Sequence, residues 1–326
     1  MKTPNLFIIG APKSGTSALA AYLDEHPNVF FSNPKEPFFW STDYPRLRKR
    51  QGLSSTDDYL KLFRSATTDH QIVGEGSTNY LRSQVAIAGI LEFNPAAKFI
   101  VMLRNPVEVA HAFHSECLFA FIEREEDFET AWRLQSERAN GQRIPADCLA
   151  PQFLQYASVA SYASQIERLF ELVPPPQRKV ILFDDFQDNN AGVYFEVQDF
   201  LSLPRYEKET FERVNAAHGH RSKLIANLIL NPPAILKPGI ELMRRLLRTE
   251  NKNSFAAKLK AKLRKPQKRT PLSSEFREEL QYFFSDDIRR LQVLLNRDLS
   301  NWLPNCLPPA ERLTPEPQIE SSVSPS

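Results

Sequence analysis

Lys13, Thr16 and Ser17 stand close together in Gly10-Ala-Pro-Lys-Ser-Gly-Thr-Ser17, a loop bounded by glycines and fed by the apolar run Leu6 to Ile9. Ser17-Ala-Leu-Ala-Ala-Tyr-Leu23 has helical periodicity, so the amides of Ser14, Gly15 and Thr16 fall at a helix N-terminus. Unpaired N–H groups and the positive end of the helix dipole favour a bound anion there, and glycine lets the backbone approach it closely. The same residues also describe an ordinary strand-to-helix turn with a surface lysine. In the commonest phosphate loop the second glycine is followed at once by lysine. Here Gly15 is followed by Thr16 and the lysine sits earlier, where it reaches a phosphate ester rather than a terminal phosphate beside magnesium. Two more places carry chemistry. Arg104 follows the apolar run Phe99 to Leu103 and precedes Asn105-Pro106, which puts a planar guanidinium at the carboxyl edge of a sheet, where ligands bind. Lys35-Glu36 precedes Phe38-Phe39-Trp40: either a cation beside a general base, or a solvated pair ahead of buried aromatics. An extended segment would point the two to opposite faces.

The loop Gly10 to Ser17 resembles the 5′-phosphosulfate loop of sulfotransferases that use 3′-phosphoadenosine 5′-phosphosulfate. Lys35-Glu-Pro-Phe-Phe-Trp40 is similar to the Lys-Glu-x-x-Phe-Phe element of the heparan-sulfate (carbohydrate) branch. Phe99 to Glu108 resembles the strand and turn that hold the donor's 3′-phosphate. Weaker likeness runs through Val180 to Phe186 and Asn215 to Lys223, so the resemblance covers roughly residues 5 to 300 of a soluble, bacterial-type member.

The resemblance implies an α/β fold with a P-loop-type parallel sheet flanked by helices, the sulfotransferase fold. It implies transfer of a sulfonate group to an acceptor hydroxyl by in-line displacement, without a metal, leaving 3′-phosphoadenosine 5′-phosphate. Lys13 would stabilise the leaving phosphate with Ser14, Gly15, Thr16 and Ser17 around it, since preorganised charge usually dominates such catalysis. Glu36 matches the family's base at the acceptor hydroxyl, a role worth ~10²–10⁴-fold, and Lys35 would assist. Arg104 would hold the 3′-phosphate. The family's serine eight residues beyond this arginine is Ala112 here. Ser115, one turn on, is the substitute, and Arg221 falls where the family places a basic loop over the nucleotide. Gly74-Glu-Gly-Ser-Thr-Asn-Tyr80 is similar to a loop bordering the acceptor cleft, so Glu75, Thr78 and Tyr80 are acceptor contacts or a polar turn. The favoured acceptor is a saccharide, with lipid and other metabolite hydroxyls open and nucleic acid not expected. The rivals are an ATP-dependent phosphotransferase and a non-catalytic binder of nucleotide or anionic glycan.

The elements that must position these residues are legible in outline. Leu6 to Ile9, Asn28 to Phe31, Lys98 to Leu103 and Lys179 to Phe183 read as strands separated by helical patterns, which predicts a parallel sheet covered on both faces. Helices are expected from about Gln155 to Val173, from Gly192 to Leu201 and from Ser273 to Leu295. Pro174-Pro-Pro176 ends the first of these. Asp127 to Ile144 reads as a charged helical insertion beside the acceptor cleft.

The chain has 326 residues, 42% of them hydrophobic, with a net charge of +2, the profile of a soluble globular protein. One sulfotransferase domain is expected over 1–303, and a disordered tail rich in Pro and Ser over 304–326. Lys237 to Arg269 carries a local charge of +10. That run is either a solvated, mobile segment or a surface for an anionic partner, peripheral membrane included. The three cysteines and six histidines show no metal-ligand spacing. No apolar run approaches the ~20 residues of a membrane span, and the N-terminus lacks a signal-peptide pattern, so a cytoplasmic location is expected.

Overall fold

The short apolar runs pair side by side as strands because their apolar residues fall on both faces and need cover above and below. In the computed structural model, which describes residues 2–146, 148, 150–211, 218–220, 264–266 and 269–304, five of them form one sheet. These are β1 (Leu6–Gly10), β2 (Val29–Phe31), β3 (Ile72–Glu75), β4 (Lys98–Leu103) and β5 (Arg178–Leu182), in the order β2-β3-β1-β4-β5. Every neighbouring pair is parallel. Strand alternation sorts the side chains between two cores. Phe7, Ile9, Phe99, Val101 and Leu103 enter one, and Leu6, Ile8, Ile100, Met102 and Ile181 enter the other.

The first core is covered by α4 (Ala86–Phe93), α5 (Pro106–Phe119), α8 (Tyr156–Ala160), α9 (Ala163–Leu172) and α12 (Ser274–Leu295). The second is covered by α1 (Thr16–Asp24), α10 (Phe183–Asp188) and α11 (Asn190–Leu201). Short helices α2 (Pro45–Gln51), α3 (Thr56–Leu60), α6 (Phe128–Arg133) and α7 (Gln135–Ala139) complete the described layers. Because β3 lies on one side of β1 and β4 on the other, the strand order switches at β1. The crevice beyond the carboxyl ends of β1 and β4 is where such sheets bind ligands.

Two expectations are corrected. β3 joins the sheet where no strand is expected, and its last two residues, Gly74 and Glu75, belong to the segment expected as a loop or polar turn. The helix expected from Gln155 to Val173 is two helices, broken at Ser161, which is extended with φ −82 and ψ 113. The break is stabilised from a distance: the Asp287 carboxylate on α12 accepts from the amides of Tyr162 at 2.7 Å and Ala163 at 3.1 Å. α12 matches its periodicity and is capped by Ser273, whose hydroxyl accepts from the Phe276 amide.

The basic run from Lys237 and the loop carrying Arg221 lie almost wholly outside the described residues, as does the tail from 305 onward. Within the run, β7 (Arg264–Pro266) pairs antiparallel with β6 (His218–His220), and β6 lies against α5. Among the described residues no helix is long and apolar enough to cross a membrane.

Candidate active site

The loop after β1 is shaped by two left-handed residues, Lys13 at φ 61 and Gly15 at φ 90. A Cβ at Gly15 would stand 3.0 Å from a Phe183 ring carbon and 3.3 Å from the Met102 methyl, so glycine alone fits against the carboxyl ends of β4 and β5. The Ala11 amide donates to the Met102 carbonyl at 2.7 Å and fastens the loop to β4. α1 then begins at Thr16, leaving its first amides without intrahelical acceptors. Its dipole adds positive potential at the same point.

Lys35 and Glu36 both enter this crevice, against the expectation from an extended backbone, because the chain bends between β2 and α2. Lys35 Nζ lies 3.4 Å from Thr16 Oγ1, 3.4 Å from Ser17 Oγ and 3.5 Å from Glu36 Oε1. Its stem crosses Gly76, where a Cβ would lie 2.7 Å from Lys35 Cε. The Thr78 hydroxyl donates to Glu36 Oε1 at 3.4 Å. Glu36 keeps 34% of its side-chain surface open, yet enclosure raises its carboxyl above the ordinary value of 4.5. The negative Glu116 raises it further, while Lys35 and Thr78 oppose the rise. Lys13 Nζ meets Glu116 Oε2 at 3.0 Å. The cleft thus holds a basic carboxylate, two ammonium groups and two helix-terminal hydroxyls.

Arg104 anchors the other end. Its guanidinium donates to the Lys13 carbonyl at 3.4 Å and lies 4.8 Å over the Phe183 ring. Its own carbonyl accepts from the buried Tyr162 hydroxyl at 3.0 Å, so the break between α8 and α9 positions it. Glu108 pairs with Arg104 at 3.7 Å and with Arg277 at 2.9 Å. Arg269 is close enough that burial, with Arg104's charge, lowers its pKa. Three guanidinium groups around one carboxylate leave a surplus of positive charge that suits a phosphate.

The remaining predicted residues separate. Ser14 is buried, its hydroxyl donating to the Pro12 carbonyl at 3.4 Å. Ala112 is 2% exposed and packs inward, so it presents no ligand group. Ser115 donates to the His111 carbonyl one turn back at 3.2 Å. Arg221 lies outside the described residues. Glu75 and Tyr80 are fully buried and bonded to each other at 3.0 Å, so neither borders the cleft; of that segment, Thr78 reaches Glu36. Burial pushes the Glu75 carboxyl up to about 7, against donors from Ser77, Tyr59 and Tyr80.

Sequence reasoning missed Glu116 and Arg277, and met Arg269 only as the end of the basic run. Glu116 reaches the site from α5 through Lys13, and Arg277 on α12 through Glu108 on α5.

A family model described as the sulfotransferase domain matches residues 3–223. The chain belongs to the sulfotransferase family. The human bifunctional heparan sulfate N-deacetylase/N-sulfotransferase 3 is 28% identical over 216 residues, covering 63% of this chain and 23% of the human protein. The human heparan sulfate glucosamine 3-O-sulfotransferase 3B1 is 28% identical over 202 residues, covering 62% and 47%. The chain therefore spans about a quarter to a half of the length of these curated relatives. The crystal structure of a sulfotransferase from Alicyclobacillus acidocaldarius aligns with a TM-score of 0.65 and 25% identity, over 93% of this chain and 99% of that one. The sulfotransferase fold thus accounts for a parallel sheet whose switch point carries the loop, Glu36 and Arg104.

Proposed function

We propose that this protein transfers a sulfonate group from 3′-phosphoadenosine 5′-phosphosulfate to a hydroxyl of a saccharide, the acceptor type in the name of the human heparan sulfate glucosamine 3-O-sulfotransferase 3B1. The observation that carries this is the meeting of Glu36, Lys35, Thr16 and Ser17 within hydrogen-bonding reach at the N-terminus of α1. The donor supplies an activated sulfonate on a 5′-phosphate. The cradle fits it: two ammonium groups and the α1 amides stand at one end, and the arginines around Glu108 at the other.

In this scheme Glu36 takes the proton of the acceptor hydroxyl as its oxygen forms the new bond to sulfur. Lys13, with the amides of Gly15 and Thr16, holds the 5′-phosphate oxygen whose bond to sulfur breaks. Lys35, between the Thr16 and Ser17 hydroxyls and Glu36, balances charge on the transferring group. Lys13 must leave Glu116 to do so, an exchange of one carboxylate oxygen for another anion. Arg104, Arg269 and Arg277 bind the 3′-phosphate. Residues 1–303 act as one domain in this proposal, working in the cytoplasm.

Calorimetric titration tests it. Binding of 3′-phosphoadenosine 5′-phosphate without metal, in preference to ATP with magnesium and to sulfated oligosaccharide, is the expected result. Equal or tighter binding of ATP with magnesium would sink it. Glu36→Gln is expected to keep the nucleotide affinity while losing about 10²-fold or more of the transfer rate. A fully active Gln variant would place the base elsewhere.

A further inference from the structure

Behind Glu36 stands a second carboxylate that the proposed chemistry leaves unused. Glu75 closes β3 and is fully buried. Its Oε1 accepts from the Tyr59 hydroxyl at 2.8 Å and the Tyr80 hydroxyl at 3.0 Å, and its Oε2 from the Ser77 hydroxyl at 2.7 Å. Above about pH 7, where Glu75 is ionised, its carboxylate only accepts, and each hydroxyl has a single proton to give. Ser77 and Tyr80 spend theirs on Glu75, which leaves their lone pairs for donors on the far side. Those donors are backbone amides of the strap that follows β2. The Phe38 amide donates to Ser77 Oγ at 3.0 Å, and the Trp40 amide donates to Tyr80 Oη at 3.3 Å. Next to Glu75, the Gly76 amide donates to the Lys35 carbonyl at 3.0 Å.

We propose that Glu75 is a positioning residue for the active-site strap: through Ser77 and Tyr80 it fixes the backbone that carries Lys35 and Glu36. The proposal rests on the sulfonate-transfer reading for what the strap does, but not for how the strap is held. Two observations set it apart from ordinary core packing. A buried carboxylate is costly unless its bonds repay desolvation, and an apolar residue would fill the same space more cheaply. Moreover, two of its three bonds continue to the segment bearing the base, and the third partner, Tyr59, stacks on that segment's Phe39 with ring centroids 4.6 Å apart. Orientation follows from proton count. A glutamine in place of Glu75 has an amide group that donates, so Ser77 or Tyr80 must turn its hydrogen away and accept, and one oxygen then serves two donors, the new amide and the strap amide.

The test is Glu75→Gln in the full chain, read by hydrogen exchange, donor affinity and transfer kinetics together at a pH well above 7, where the Glu75 of the parent is ionised. Exchange at Phe38 and Trp40 is expected to quicken about tenfold or more, with the loop around Gly10 to Ser17 unchanged. The affinity for 3′-phosphoadenosine 5′-phosphate should stay within about threefold while kcat falls about tenfold, a split between binding and turnover that a merely structural role would not give. Ser77→Ala should loosen Phe38 more than Trp40, and Tyr80→Phe the reverse. These two variants carry the test if Glu75→Gln does not fold. Unchanged strap exchange, or a rise spread evenly over the molecule with matching loss of nucleotide affinity, overturns the proposal. Absence of sulfonate transfer by the parent chain would refute the functional reading and leave the exchange result to decide this one.

Discussion

Glu36 is useful as a base only when ionised, so its raised pKa has a sign that can be worked out. Enclosure and the charge on Glu116 lift the carboxyl above 4.5, and the rate is expected to fall as pH drops through that higher value rather than at the usual carboxylate range. Glu116→Gln removes a charge that raises Glu36, and the acid limb of kcat/KM should move to lower pH. A limb that stays in place would show that Glu36 is not the titrating base. Stability runs the other way. A carboxyl raised by folding holds a proton that the unfolded chain has already shed. Its contribution is full below 4.5 and is lost as pH rises through the folded value, which for Glu75 is about 7. Gly76 offers a test of Lys35 of a different kind. Gly76→Ala would set a Cβ 2.7 Å from Lys35 Cε. The far end of a lysine can give way, so stability should change by no more than about 1 kcal/mol. The ammonium would then leave Thr16 and Ser17, and a misplacement on the order of 1 Å is enough to cost up to ~10²-fold in rate. Unaltered transfer by this variant, measured beside its urea midpoint, would remove Lys35 from the mechanism.

At the scale of elements, the break between α8 and α9 matters as much as any strand. It presents Tyr162, whose hydroxyl bonds the Arg104 carbonyl at 3.0 Å, and it depends on Asp287 accepting two amides. Asp287→Ala is expected to cost about 1–3 kcal/mol, because buried N–H groups lose their acceptor, and to weaken nucleotide binding by shifting Arg104. Asp287→Asn retains one acceptor oxygen and should recover part of both. Urea midpoints and calorimetric affinities measure the pair; a stability loss with unchanged affinity would detach Tyr162 from the site. That break was not legible in the sequence, since the cap comes from a residue on the distant α12 while the local pattern is helical throughout. β1, β4 and the helix start at Thr16 were legible because continuous apolar runs and a glycine-bounded loop need no distant partner. β3 was not, because Ile72 and Val73 supply its apolar content and Glu75 reads as a turn residue until its hydroxyl partners are known. Lys35 and Glu36 stand out in the sequence by type, but their convergence depends on a bend that alternation cannot forecast.

For the molecule as a whole, the site joins segments far apart in the chain: the loop after β1, the strap after β2, Arg104 after β4, Glu116 on α5, Arg269 in the segment before α12 and Arg277 in its first turn. β6 and β7, which flank residues 221–263, pair beside α5. The +10 of the basic run offsets −8 spread over the rest of the chain, so much of the positive charge is concentrated in one region of the sequence. A ligand that engages all of these at once should stabilise the whole fold, since it binds the assembled site and not the unfolded chain. At a concentration one hundred times Kd the gain is about 2.7 kcal/mol, readable as a rise in Tm. 3′-Phosphoadenosine 5′-phosphate has a 5′- and a 3′-phosphate to match the two basic ends of the proposed site, whereas ATP has no 3′-phosphate for the arginines around Glu108. The former is expected to raise Tm without magnesium and the latter to raise it little at the same concentration. Arg269→Ala should lower the nucleotide's effect by weakening its affinity, and added salt should do the same where the charges are open to solvent. Matching rises from both nucleotides, undiminished in Arg269→Ala, would mean that the cluster around Glu108 holds α5 to α12 and takes no part in binding the donor.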